Sequence, residues 1–146
     1  GSAVALRVGG KTDDTHGPTL PIHGRVRTLH SSEFEETERR HGGGRYFNQG
    51  LTAVVEVNRS GPGKGGLLVL NSKRTAPMSI HQITCVGIQP HQHKILVAKG
   101  TVAPRAAYAP VCAQIIQVDT GGACDINRPP SAFKRARSDF YEWQRR

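Results

Sequence analysis

The side chains that could do chemistry are dispersed along the 146 residues. Seven histidines occur (His16, His23, His30, His41, His81, His91 and His93), and only His91-Gln92-His93 forms a tight pair. Two histidines at i and i+2 of a strand share a face and can ligate a metal. This pair follows Pro90 in a turn and has no nearby Asp or Glu to complete a ligand set. His81 opens HQITC, which lacks the Glu and the second His of a zincin helix. The three cysteines, Cys85, Cys112 and Cys124, are odd in number and widely spaced, with no CxxC, so they read as reduced thiols of a cytoplasmic protein. There is no Ser-His-Asp order, P-loop or GxGxxG pattern. No complete catalytic centre, metal-ligand set or cofactor motif is expected in this chain.

What remains is a set of cations and hydroxyls, and their use depends on the elements that hold them. Ala3–Val8 alternates like a strand, and Leu20–Leu29 sets Ile22, Gly24 and Val26 against His23, Arg25 and Arg27. The acidic stretch from His30 to Arg40 reads as a loop or short exposed helix. Leu51–Val57 and Gly65–Leu70 read as two strands joined by the turn-rich NRSGPGKGG. Ser79–Ile88 has helical spacing, with Ser79 as a candidate N-cap and Gly87 near the end. Lys94–Lys99 reads as a buried strand, Thr101–Ala109 as a helix with proline in its first turn, and Ala113–Val118 as a further strand. The alternation predicts a mixed α/β fold: antiparallel hairpins in the first half, a parallel βαβ portion in the second, and helices packed on the sheet.

In that arrangement the strands ending at Leu70 and Lys99 would be parallel neighbours. Open α/β sheets bind ligands where their strands' carboxyl ends meet. The residues delivered there are Asn71, Ser72, Lys73 and Arg74 from one strand, Lys99, Gly100 and Thr101 from the other, and Arg105 one turn into the following helix. These suit an anion or carboxylate; the alternative is that they cap and solvate the sheet edge.

Composition bounds the rest. The length suits one domain. A hydrophobic fraction of 36% with 21% charged residues excludes wholesale disorder. No apolar run is long enough to span a membrane, and the apolar stretch of GSAVALRVGG is short for a signal peptide. The net charge is +9, of which the tail 127–146 carries +4 through Arg128, Lys134, Arg135, Arg137, Arg145 and Arg146 against Asp139 and Glu142. A basic domain can bind nucleic acid. No zinc finger, RRM or KH signature accompanies this charge, so nucleic acid is not the favoured partner.

Several short runs are similar to the C-terminal domain of the microcystinase C (MlrC) family of metallopeptidases. They are Gly9-Gly10-Lys11, Gly17-Pro18, Gly24-Arg25-Val26-Arg27, Gly50-Leu51-Thr52-Ala53-Val54, NSKRTAP (71–77), Val86-Gly87-Ile88-Gln89-Pro90, ILVAKG (95–100), Arg105-Ala106-Ala107-Tyr108-Ala109-Pro110 and IIQVDTGG (115–122). Each is weak alone; their order and spacing hold from Ala3 to about Gly122. The resemblance implies a domain at 1–126 followed by a basic tail at 127–146. It further implies an accessory part of a zinc-dependent peptidase or amidohydrolase, acting on a peptide or amide and helping to form the substrate cleft. Zinc would be held by an N-terminal domain of the same protein, and this chain alone would be inactive. The chain departs from the family where a Lys-Ser, two residues and His-Phe-Arg are usual. Here Lys99 and Arg105 match, whereas Gly100, Ala103 and Pro104 replace the serine, histidine and phenylalanine. That departure implies either loss of peptidase activity in the parent or a different substrate. The alternatives to this reading are a stand-alone module for an anionic partner such as nucleic acid, and a structural dimerisation domain.

Overall fold

A computed structural model describes residues 1–12, 17–38, 43–58, 65–100, 102–120 and 134–135. Four strands, β1 (Ala3–Val8), β2 (Leu20–Glu35), β3 (Tyr46–Val57) and β4 (Leu67–Asn71), form one sheet in the order β1-β2-β3-β4. Every pairing is antiparallel, so the sheet is a meander. The chain is thus a mixed α+β protein with few helices. Its registers include Leu6↔Ile22, Val26↔Val55 and Val54↔Val69.

Two bulges interrupt the long β2–β3 ladder. Val26 pairs with Val55 but Thr28 with Val54, which leaves Arg27 as an extra residue on β2. Ser32 pairs with Gly50 but Glu33 with Asn48, which leaves Gln49 as an extra residue on β3. A bulge shifts the strand's two-residue period and re-aims a side chain. Gly50, beside the extra residue, has φ +70°, a left-handed conformation that glycine adopts without steric cost. Its N–H donates to Asn48 Oδ1 at 2.7 Å and the Thr52 hydroxyl donates to its carbonyl at 3.2 Å, so the bulge is braced on both sides.

After β4 the chain makes a single helical turn, α1 (His81–Thr84). Ile80, not the expected Ser79, is its N-cap; Ser79 stands one residue earlier, its Oγ accepting from the His81 N–H at 3.1 Å. Gly87, with φ +82°, ends it: Gly87 N–H bonds the Thr84 carbonyl and Ile88 N–H bonds the Ile83 carbonyl, both at 3.0 Å. This Schellman pair carries its usual apolar contact, because Ile88 and Ile83 belong to one cluster. That cluster, with Val54, Val86, Leu67, Val69 and Cys85, packs the α1 turn onto β3 and β4. Further on lie α2 (Ala103–Tyr108), with Pro104 in its first turn, and a 3-10 turn at Ala109–Val111.

The expected parallel βαβ portion does not form. Residues 94–99 and 113–118 are in neither strand nor helix. Val97 is 94% exposed and Ile116 74%, far from the burial a parallel strand needs. A parallel crossover takes a dozen or more residues, usually a helix that covers the sheet, whereas α1 spans 4 residues and α2 spans 6. The apolar runs alone carried no information about partners. Of the stretch from His30 to Arg40, the first part is not a loop or helix: β2 continues to Glu35, with Ser32 and Phe34 buried and Ser31 and Glu33 exposed, and residues 36–38 lie outside strand and helix. Its glutamates are the outward half of an alternating strand. Residues 59–64, Thr101, Cys124 and all of the tail but Lys134 and Arg135 lie outside the described residues. Among the described residues no helix is long and apolar enough to cross a membrane.

Tyr108 lies buried at the end of α2. Burial first, and then the charge of a nearby Cys112 thiolate, push its phenol above the ordinary range. A raised folded-state pKa means that the associated stability is complete below the unfolded-state pKa and is lost as pH rises through the folded value. Near-UV phenolate titration is expected to show a late component, and stability to fall in the same alkaline window. Tyr108→Phe removes both effects.

Candidate substrate-facing site

The run Asn71–Pro77 starts where β4 ends. Its first residues continue the β3 ladder: Ser72 N–H bonds the Leu51 carbonyl at 3.0 Å and Lys73 N–H bonds the Gln49 carbonyl at 3.1 Å. The run therefore lies directly over the Gln49 bulge. A Cβ at residue 50 would collide with Ser72 Oγ and stand 3.0 Å from Lys73 Cγ. Ser72, Lys73 and Arg74 are all exposed.

A network of polar side chains lies beneath the run. Gln49, 1% exposed, accepts from Asn71 Nδ2 at 2.8 Å through its Oε1. Its Nε2 donates to Ser32 Oγ at 3.1 Å and to the Gln82 carbonyl at 3.0 Å, with Cys85 Sγ at 3.6 Å. Ser32 Oγ and Cys85 Sγ lie 3.1 Å apart, and Gln82 Oε1 accepts from the Ser79 N–H at 3.1 Å. Among the described residues no buried side-chain nitrogen or oxygen lacks a partner. A fully satisfied network of this kind holds its parts in one arrangement.

The second cationic segment reaches the run by a different route from the one expected. Lys99 does not end a strand, so no shared strand edge delivers it beside Ser72 and Arg74. The junction is Gly100, whose added Cβ would stand 2.9 Å from Pro77 Cγ and 3.2 Å from both Cγ and Cδ of Pro104. The segments bearing Arg74, Lys99 and Arg105 thus converge on one glycine and two proline rings. All three cations are exposed, and none pairs with a carboxylate among the described residues. Thr101 lies outside the described residues.

The same contacts give the departures at residues 100 and 104 a physical reading. Pro104 fills space beside residue 100 that a serine side chain would enter. Gly100→Ser is expected to lower stability by about 1–2 kcal/mol, because proline rings yield little to an added atom. Thermal unfolding measures the loss.

Sequence reasoning missed Gln49, Ser32, Gln82 and Asn71 as a unit. The available signal was weak: Asn48-Gln49-Gly50, a break in alternation at a glycine inside a strand. Elsewhere, an open groove of about 370 Å³ at the far end of the β2–β3 hairpin is lined by Glu33, Phe34, Glu35, Tyr46, Phe47 and Asn48. Its carboxylates are engaged, Glu33 by Asn48 and Glu35 by Arg45, and Phe34 stacks on Phe47 with centroids 5.3 Å apart.

A family model described as MlrC C-terminus matches residues 1–135, and the chain belongs to that family. No curated protein and no solved structure matches it. Among the described residues no group of three or more His, Cys, Asp or Glu side chains could hold a metal ion.

Proposed function

We propose that this chain is the accessory C-terminal domain of a zinc-dependent peptidase or amidohydrolase of the cytoplasm. Its metal centre would lie on an N-terminal domain of the same protein, and residues 71–77, 99 and 105 would face the substrate cleft. The family match over residues 1–135 carries this reading. The meeting of the segments that bear Arg74, Lys99 and Arg105 at Gly100 supports it. Metal-bound water on the other domain would supply the nucleophile. This chain's part is to bind and orient. Exposed Arg74, Lys99 and Arg105 attract the carboxylates of a peptide, and a guanidinium can hold one through two parallel hydrogen bonds. Ser72, two residues before Arg74, offers a hydroxyl, and Thr101 follows Gly100 in sequence.

The test uses the full-length protein and linear peptides with free carboxylates. Arg74→Ala or Lys99→Ala is expected to lower kcat/KM about tenfold, the size of one lost charge-assisted hydrogen bond. The melting temperature should stay unchanged, because both side chains are exposed. Normal kinetics with a lowered melting temperature would overturn the reading.

A further inference from the structure

We infer that Gln49 is a positioning residue for the Asn71–Pro77 run, acting as a clamp that ties the run to the sheet and to α1 at once. The inference rests on the reading that this run faces substrate. Three observations converge on Gln49. The bulge makes it the extra residue of β3, which frees its side chain from the ordinary two-residue alternation. Its backbone carbonyl takes the Lys73 N–H and its Oε1 takes Asn71 Nδ2, so both ends of one residue hold the start of the run. Its Nε2 is spent on the other side, on Ser32 of β2 and on the main chain of Gln82 in α1.

No other amino acid reproduces this. Leucine matches the volume with neither donor nor acceptor. Glutamate keeps the acceptor for Asn71 but loses the amide that bridges Ser32 and Gln82. The clamp also explains the close fit at Gly50, since a run drawn down by Gln49 leaves no room for a Cβ beneath Ser72 and Lys73. Arg74 follows the clamped residues immediately, so the direction in which its exposed side chain leaves the surface is set by a buried amide.

Native-state amide exchange tests the clamp without reference to turnover. Asn71→Leu removes only the run's arm of the network and changes an exposed residue, so folding is retained. It should speed exchange of the Ser72 and Lys73 amides about tenfold and leave the β1–β2 ladder at wild-type rates. Gln49→Leu should do the same and also speed the α1 amides; if that variant fails to fold, Asn71→Leu decides alone. In the full-length protein, Asn71→Leu should raise KM severalfold with kcat within twofold, because the cations remain present but are less well placed. Unchanged exchange at residues 72 and 73 would overturn the clamp and leave the substrate-facing reading intact. Faster exchange together with a kinetically silent Arg74→Ala would instead overturn the substrate-facing reading.

Discussion

Gly50→Ala is expected to destabilise the protein by about 2–3 kcal/mol. Two independent costs combine. At φ +70° an L-residue with a Cβ pays roughly 1–2 kcal/mol for the left-handed conformation. The new methyl also strikes Ser72 Oγ and crowds Lys73 Cγ, so the start of the run must lift from β3. Lifting it strains the Ser72–Leu51 and Lys73–Gln49 backbone bonds. Chemical denaturation should report the full loss as a lowered midpoint with an unchanged slope. A shift smaller than about 0.5 kcal/mol would mean that the run yields freely, contrary to the geometry described.

Val54→Ala should have a comparable effect for a different reason. Val54 is 0% exposed and is the β3 member of the cluster that joins Val86 and Ile88 to Leu67 and Val69. Removing two methyl groups forfeits about 1.6 kcal/mol of transfer free energy, and the cavity adds to it, giving about 2–3 kcal/mol. The cluster is small, so there is little neighbouring apolar mass to collapse into the gap. Thermal unfolding should fall by about 10 °C for a domain of this size. Because α1 reaches the sheet through this cluster, its amides should lose protection before those of β1.

The first half of the fold was legible in the sequence because its strands alternate. Leu6, Ile22, Val26, Val55 and Val57 mark one period after another. Gly87 was legible as a helix end because the Schellman geometry leaves few other residues for that position. The polar second half of β2 was not, since glutamates on an exposed face look like a loop when the inward Ser32 and Phe34 are small in number. The parallel strands were misread for the opposite reason: KILVAK and AQIIQV are apolar enough for strands, but strand formation depends on a partner edge that no local pattern reports. The candidate site divides similarly. Its cations could be named from the sequence, but the segments that bear them come together at Gly100 against Pro77 and Pro104 and not at a shared sheet edge. The clamp was invisible because a bulge is a property of two strands read together.

The meander has a consequence for how the molecule comes into being. Each strand bonds only to its predecessor and successor, so every ladder closes between segments that are near in the chain. Low sequence separation favours rapid assembly. On a ribosome, β1 and β2 can zip while β3 is still being threaded out, and the sheet can be finished before the proline-rich stretch beyond Gly87 is synthesised. The hairpins then serve as a template for the segments that follow, so the surface at Gly100 matures after the sheet.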